Sequence, residues 1–212
     1  MGFPTQAKTG LGWGTQRPYT PRVKEVEIKF VVADLRALAR KLLDAGFRLA
    51  THRTHEMNVL YDLPGQPLRR RGELLRLRQY GHAWTLTHKG RGAAGRHKSR
   101  VEIETAVEDG ARLDAILRAS GFQPTFRYEK FRTQWSDGRG QVVVDETPIG
   151  DLAEIEGEPQ WIDATARRLG VAPSQYITDS YAGLFFAWKR RTRSPATEMT
   201  FQAVGKGGRR KS

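Results

Sequence analysis

The chain has 212 residues and contains no cysteine. This absence excludes disulfide bonds, thiolate catalysis and cysteine-type zinc sites, and it is compatible with a reducing cytoplasm. The sequence also lacks a run of apolar residues long enough for a membrane-spanning helix. Its first residues do not show the basic and then apolar pattern of a signal peptide, so we expect a cytoplasmic protein.

Acidic residues are scarce relative to basic ones. The chain has 23 aspartates and glutamates against 36 lysines and arginines, which gives a formal charge of +13. Most of the excess lies in residues 1–22 and 189–212, which are rich in Gly, Ser, Thr and Pro and show no apolar periodicity. We expect both ends to be disordered basic tails suited to weak polyanion binding. The charge of residues 23–188 is nearly balanced, and their length suits one domain.

An internal repeat appears when the sequence is shifted against itself by 75 residues. The shift aligns residues 26–28 (VEI) with 101–103 (VEI), and residues 46–47 (GF) with 121–122 (GF). We interpret the repeat as two related halves, each with a strand, a helix that ends at glycine and further strands.

The periodicity of apolar residues predicts the elements. Stripes with spacings of three and four residues predict helices at 34–45, 109–120, 160–169 and 174–188. Alternation of polar and apolar residues predicts strands at 24–30, 74–80, 83–89, 99–105, 128–135, 141–145 and 152–157. The predicted helices are too few to cover a parallel sheet, which indicates an antiparallel α+β fold.

The polar faces of the predicted strands are unusually rich in charge. The first strand, KEVEIKF, places two acids and a lysine on one face and three apolar side chains on the other. Across the seven strands, the bases are Lys29, Arg76, Arg78, Lys89, Arg100, Lys130 and Arg132, and the acids are Glu25, Glu27, Glu102, Glu104, Asp145, Glu154 and Glu156.

These charged faces suggest a closed sheet. One amphipathic strand ordinarily turns its polar face to water. Seven strands with opposed charges favour closure around a polar lumen, with helices covering the apolar faces. Acids suit a hard divalent cation such as Mg²⁺ or Mn²⁺, and bases suit a ligand with several phosphates.

The order of these motifs resembles the CYTH superfamily, the triphosphate tunnel metalloenzymes. That superfamily includes class IV adenylate cyclases, thiamine triphosphatases and inorganic triphosphatases. The matching motifs, within residues 24–188, are Glu25-x-Glu27-x-Lys29, Leu75 to Arg78, Thr87 to Gly90, Arg100-x-Glu102-x-Glu104, Lys130-x-Arg132, Val144 to Thr147, Glu154 to Glu156 and Asp179 to Tyr181. The resemblance implies a closed antiparallel eight-stranded β-barrel that forms a tunnel, with helices packed outside.

The resemblance also implies roles for the charged residues. Ligands of one or two Mg²⁺ or Mn²⁺ ions would be Glu25, Glu27, Asp145, Glu154 and Glu156, with Glu102 and Glu104 as secondary candidates. Contacts to a linear triphosphate would come from Lys29, Arg76, Arg78, Lys89, Lys130 and Arg132, while Arg100 would either join them or pair with an acid. The candidate catalytic residues are Lys29, Lys89, Glu104 and Arg132.

Three functions fit these features. The first is metal-assisted hydrolysis of a phosphoanhydride bond in a triphosphate, and the second is the class IV cyclase reaction, which converts ATP to cyclic AMP and pyrophosphate. The third is a non-catalytic module that binds polyphosphate or RNA. The sequence offers no identifiable nucleoside pocket, which favours hydrolysis, although the motifs through Ser180-Tyr181 resemble cyclases at least as much. Seven inward acids argue against a pure polyanion binder. The oligomeric state stays open.

Overall fold

The structure is a computed structural model that describes residues 23–93 and 95–208. The predicted N-terminal tail, 1–22, lies outside the described residues. The strands are β1 (Val23–Val31), β2 (Arg48–Asp62), β3 (Leu74–Tyr80), β4 (Ala83–Lys89), β5 (Lys98–Val107), β6 (Gln123–Ser136), β7 (Gln141–Thr147) and β8 (Gly150–Glu156). The helices are α1 (Leu35–Asp44), α2 (Pro67–Arg71), α3 (Gly110–Ala119), α4 (Pro159–Leu169), α5 (Tyr181–Thr192) and α6 (Phe201–Gly208).

All eight strands form one closed barrel. Their order is β1-β5-β4-β3-β2-β6-β7-β8, with β8 pairing again with β1, and every pairing is antiparallel. Closure pairs the backbone groups of every strand on both sides and leaves no free edge. The predicted eight-stranded barrel is therefore confirmed.

The internal repeat is visible in the elements. A shift of 75 residues carries α1 onto 110–119, the bounds of α3, and carries β2 onto β6 to within one residue. Both helices begin after an aspartate, Asp34 and Asp109, whose side chain accepts backbone N–H bonds of the first turn. Both are followed by a glycine in the left-handed region, Gly46 at φ 82° and Gly121 at φ 90°.

The sequence prediction missed β2. This strand pairs with β3 and β6, and its pairing with β6 shifts register near Thr51 and between Leu60 and Tyr61. Such bulges interrupt the alternation of side chains, which is the signal that identified the other strands. The repeat offered a second signal, since the predicted strand 128–135 maps back to 53–60.

The helices pack on the outside of the barrel and bury its apolar faces. One cluster lies beneath α1 and α4, a second beneath α5 and α6, and a third beneath α3. Fully buried members of the first two include Ile28, Leu42, Ile162, Phe185 and Met199. Because side chains alternate along a strand, this packing turns the polar faces into the lumen. Within the described ranges, none of the helices combines the length and apolar character needed to cross a membrane.

The expectation of a disordered tail at 189–212 is wrong for residues 189–208. After α5, Met199 exchanges backbone hydrogen bonds with β6, from its N–H to the Arg127 carbonyl and from the Glu129 N–H to its own carbonyl, each 3.0 Å long. Met199 is fully buried, and Val204 of α6 is 8 % exposed. The apolar residues of this segment are few and lie among basic ones. They therefore form no periodic pattern from which a helix could be predicted. Residues 209–212 lie outside the described part of the chain.

The helix predicted at 174–188 corresponds to α5, which begins later than predicted. Pro173 to Gln175 form a single 3-10 turn, and α5 starts at Tyr181 rather than at residue 174. The Ser180 hydroxyl accepts the Gly183 N–H at 3.1 Å and caps the helix. This start places the first turn of α5 against the opening of the barrel.

Candidate active site

The barrel encloses a cavity of about 690 Å³ with a densely charged wall. The lining includes Glu25, Glu27, Lys29, Arg76, Arg78, Lys89, Arg100, Glu102, Glu104, Lys130, Arg132, Glu154 and Glu156. Of the fourteen charged residues that the sequence assigned to the site, thirteen therefore line one cavity. The exception is Asp145, which is completely buried behind the wall.

Strand register decides which charges meet. In the pairing of β1 with β8, Lys29 lies opposite Glu154 and Glu27 lies opposite Glu156. The ammonium of Lys29 is 2.7 Å from Glu154 and 3.6 Å from Glu27. Burial opposes the charged form of Lys29, but these carboxylates outweigh it and raise the pKa of Lys29 above its usual value. Lys29 therefore stays charged inside the barrel.

Three carboxylates form what we call the acid cluster: Glu25, Glu27 and Glu156. Each offers one oxygen atom, and these atoms lie within 4.8 Å of one another. Like charges at this separation repel. Glu156 forms no ion pair with any residue in the described ranges, and burial together with the charge of Glu154 raises its pKa to about 8. A bound cation would relieve this repulsion.

Glu102 lies beside the acid cluster and interacts with Glu25, with which it shares the Lys89 ammonium. Burial and the interaction with Glu25 raise the pKa of Glu102 to about 7. For Glu25, burial is outweighed by the interaction with Glu102 and by Lys89, and the pKa falls to about 2. The Lys89 ammonium is 3.0 Å from Glu25 and also contacts Glu102. The two carboxylates therefore titrate as a coupled pair, with Glu102 the more easily protonated of the two.

The acid cluster fits a hard divalent cation. Mg²⁺ and Mn²⁺ prefer oxygen ligands from a few carboxylates together with phosphate oxygens. Glu25, Glu27 and Glu156 converge as such a donor set and would hold the ion, with Glu102 adjacent. The structure does not bring the other three predicted ligands, Glu104, Asp145 and Glu154, into this cluster.

Asp145 and Glu154 instead belong to a second group, which we call the paired cluster: Glu56, Lys130, Arg132, Asp145 and Glu154. Arg132 donates two parallel bonds to Asp145, of 2.8 and 2.7 Å, and a third of 2.6 Å to Glu154. Lys130 lies 2.9 Å from Asp145 and 3.5 Å from Glu56. Because its oxygens are already engaged, Asp145 is better placed to orient these two bases than to bind metal.

Tyr181 completes the paired cluster. Its hydroxyl donates to Asp145, and its ring lies beneath the ammonium groups of Lys130 and Lys29, 4.2 and 5.1 Å from the ring centre. In the sequence, Tyr181 stands out only as the last residue of the motif from Asp179 to Tyr181. The structure places it where it fixes two lysines at once.

Glu104 holds two arginines in place. Its carboxylate is 3.3 Å from Arg78 and 3.7 Å from Arg76, and it accepts a 2.6 Å bond from the Thr87 hydroxyl. Arg100 forms no ion pair with any described residue, and the Nε atoms of Arg76 and Arg100 have no hydrogen-bond partner. These guanidinium groups keep donors available for a ligand in the cavity.

Sequence reasoning missed Lys98, which lines the cavity, and Glu56 and Asn58, which are buried behind its wall. Glu56 and its neighbour Asn58, which donates to Glu56 at 2.9 Å, lie on β2 and were lost with that strand. Lys98, whose ammonium is 2.5 Å from Glu27, fell one residue before the predicted start of β5. Its alternation with Arg100 and Glu102 was the signal that could have placed it on the lumen face.

Comparisons with known proteins agree with this fold. The CYTH domain family model matches residues 23–170. A protein of Methanocaldococcus jannaschii named "Putative adenylate cyclase" is 24 % identical over 171 residues, which cover 76 % of this chain and 97 % of that protein. The solved structure of a "putative adenylate cyclase" from Vibrio parahaemolyticus superposes with a TM-score of 0.66 at 19 % identity, covering 76 % of this chain and 97 % of the other.

A third comparison is with a plant protein. The structure described as "Putative adenylyl cyclase HpAC1 from Hippeastrum" superposes with a TM-score of 0.57 at 18 % identity. The match covers 77 % of this chain and 95 % of the other. The structural matches establish the barrel fold, and the family match confirms the resemblance read from the sequence.

Proposed function

The chain belongs to the CYTH domain family, and on that premise we propose that it is a divalent-metal-dependent enzyme that hydrolyses a phosphoanhydride bond of a triphosphate substrate. The observation that carries the proposal is the placement of the acid cluster and a row of bases in one cavity of about 690 Å³. The acid cluster would hold Mg²⁺ or Mn²⁺. The phosphate contacts would come from Lys29, Arg76, Arg78, Lys89, Arg100, Lys130 and Arg132.

The chemistry proposed for these residues is electrostatic. A bound ion would neutralise charge on the phosphates and polarise a phosphoryl oxygen. Arg76 and Arg78, fixed by Glu104, and Arg132, fixed by Asp145, would bind the oxygens on which charge grows in the transition state. A water molecule oriented by a carboxylate of the wall attacks the terminal phosphorus. Its oxygen would bond to phosphorus as the anhydride bond breaks and the water gives up a proton, which yields orthophosphate and the shortened chain.

Hydrolysis is favoured over cyclisation by the lack of an obvious nucleoside site. The aromatic side chains among the described lining residues are Tyr128 and Tyr181, which stack on each other with ring centres 5.5 Å apart. The ammonium groups of two lysines also lie over the Tyr181 ring. No free aromatic face is thus left among them to hold an adenine. The Hippeastrum protein, for its part, is described as revealing a dominant triphosphatase activity.

Adenylate cyclase activity is the second candidate, supported by the names of the similar proteins. Incubation with Mg²⁺ or Mn²⁺ and either ATP or tripolyphosphate separates the two reactions. Orthophosphate release from tripolyphosphate supports the hydrolase, and its abolition by a chelator supports the metal requirement. Cyclic AMP and pyrophosphate as the products from ATP would overturn the hydrolase in favour of the cyclase.

A non-catalytic polyanion-binding module is the third candidate. It predicts binding of tripolyphosphate without turnover, and unchanged binding when Glu154 and Glu156 are both replaced by Gln. A pure binder of anions would gain nothing from the acid cluster, which repels them. Metal-dependent turnover by the parent protein would exclude this candidate.

A further inference from the structure

A second concave surface lies outside the barrel, between α2 and the C-terminal end of α5. We call it the basic groove and define it by Arg69, Phe186, Lys189, Arg190, Arg193 and Ser194. Its volume is about 670 Å³, comparable to that of the barrel cavity. Four of these six residues are basic and none is acidic. The feature therefore differs from the barrel wall, where acids and bases are mixed.

In the described part of the chain, no acidic side chain neutralises the charges of the basic groove. None of its four bases forms an ion pair within the described ranges, and Arg69 donates one 3.1 Å bond to the neutral side chain of Gln66. Converging positive charges repel one another, which disfavours their approach unless an anion binds between them. The groove thus has the electrostatic character of an anion site.

Backbone strain coincides with the groove. Gln66 and Arg193, at φ 54° and 53°, are the two non-glycine residues with positive φ in the described part of the chain. The left-handed conformation costs about 1 kcal/mol for such residues and tends to persist where function requires it. Arg193 lines the groove, and Gln66 accepts a hydrogen bond from Arg69, which also lines it. Both strained positions therefore help to shape this one surface.

Helix α5 connects the groove with the barrel. Tyr181 and Ala182 in its first turn line the barrel cavity, while Phe186, Lys189 and Arg190 line the groove. The step from Ala182 to Lys189 is about 10 Å along the helix axis. An anion that bound in the basic groove would therefore lie close to the opening of the barrel.

We propose that the basic groove is a binding site for linear inorganic polyphosphate. A chain of phosphates matches four unpaired bases that converge from two helices and the turn after α5. Single-stranded nucleic acid fits less well, because it usually needs an aromatic face on which bases stack. The Phe186 ring packs against Phe126 and Phe185, with centres 5.8 and 5.6 Å apart, so it is committed to the core.

A matched pair of triple variants tests the site in the full chain. The groove variant carries Arg69→Gln, Lys189→Gln and Arg190→Gln. The control variant carries Arg36→Gln, Arg40→Gln and Arg167→Gln, three exposed helix positions outside both cavities, and loses the same charge. Binding of long-chain polyphosphate is measured by titration calorimetry in a chelator, so that turnover does not interfere. Thermal melting of all three proteins checks that they are folded.

The expected result is specific to the groove. The parent and control bind polyphosphate alike, while the groove variant binds about tenfold more weakly and its log–log salt dependence is shallower by about 2, since three phosphate contacts are lost. Arg190→Gln alone, at an exposed position, should show a smaller loss in the same direction. Equal affinities of the groove and control variants would overturn the proposal.

Two further measurements separate the alternatives. If the parent binds single-stranded RNA more tightly than polyphosphate and the groove variant loses that binding, the site is a nucleic-acid site and the proposal is wrong. Unchanged tripolyphosphate hydrolysis in the groove variant supports a groove that is separate from the catalytic cavity. Because binding is measured directly, a parent protein without hydrolytic activity would refute the proposed function but leave this test of the groove valid.

Discussion

The acid cluster and the paired cluster both contain buried or partly buried carboxylates, but they differ in how these carboxylates are matched with basic side chains. In the paired cluster, Asp145 and Glu154 contact Lys130 and Arg132 at 2.6 to 2.9 Å. In the acid cluster, three carboxylates crowd within 4.8 Å, and Glu156 has no basic partner among the described residues. The role of a buried carboxylate therefore follows from the residues across its strand. We expect the paired acids to stabilise the fold and position bases, and the crowded acids to bind the proposed cation.

The largest expected effect is on stability, from Asp145→Asn. The change leaves Lys130 and Arg132 buried with one acid fewer, and uncompensated buried charge costs about 3–5 kcal/mol. We expect a loss of that size in the free energy of unfolding, measured with urea. The control is Glu146→Gln on the same strand, which breaks a partly exposed pair with Arg53 and should cost about 1 kcal/mol or less. Equal losses would contradict the distinction between the two clusters.

The second prediction concerns activity without loss of stability, from Glu156→Gln. Because its pKa is raised to about 8, this carboxyl carries a proton near neutral pH when no cation is bound, and glutamine resembles that form. Stability in a chelator should be unchanged. Tripolyphosphate hydrolysis should fall about 100-fold in kcat/KM, and more metal should be needed for half-activation.

The control for Glu156→Gln is Glu108→Gln, an exposed acid outside the cavity that should keep the parent kinetics. Parent-like metal dependence in Glu156→Gln would exclude this residue from the proposed metal site.

The site residues could be predicted from the sequence where the strand that carries them alternates regularly between polar and apolar residues. Alternation in β1 and β3 to β8 brought nearly all the charged residues into one lumen. The bulges of β2 interrupt this alternation, so Glu56 was not predicted, although the internal repeat indicated a strand there. The separation of the two clusters was not predictable, because it depends on cross-strand register. Lys29 meets Glu154 only when β1 pairs with β8 and closes the barrel, and Arg132 meets Asp145 through the register of the β6–β7 hairpin.

The third prediction isolates one hydrogen bond of the paired cluster. Tyr181→Phe removes the hydroxyl that donates to Asp145 but keeps the ring beneath Lys29 and Lys130. A hydrogen bond to a charged acceptor contributes about 1.5–3 kcal/mol to stability. The free energy of unfolding of Tyr181→Phe should therefore be lower by about that amount. Tyr80→Phe is the control, since the buried Tyr80 hydroxyl has no partner in the described structure and its loss should be nearly neutral. A Tyr181→Phe protein as stable as Tyr80→Phe would show that the bond does not hold Asp145.

The smallest expected effect comes from the shortest contact between a base and the acid cluster. Lys98 lies 2.5 Å from Glu27, where its ammonium competes with a divalent ion for the same oxygen and repels it. Lys98→Gln should therefore lower the metal concentration for half-activation by about fivefold, which corresponds to about 1 kcal/mol. Exposed Arg112→Gln provides the charge-matched control. If Lys98 instead binds substrate, the KM for tripolyphosphate will rise while metal dependence stays at the parent value. That result would move Lys98 to the phosphate-binding bases and leave Lys89, at 3.0 Å from Glu25, and Lys29, at 3.6 Å from Glu27, as the bases in contact with the acid cluster.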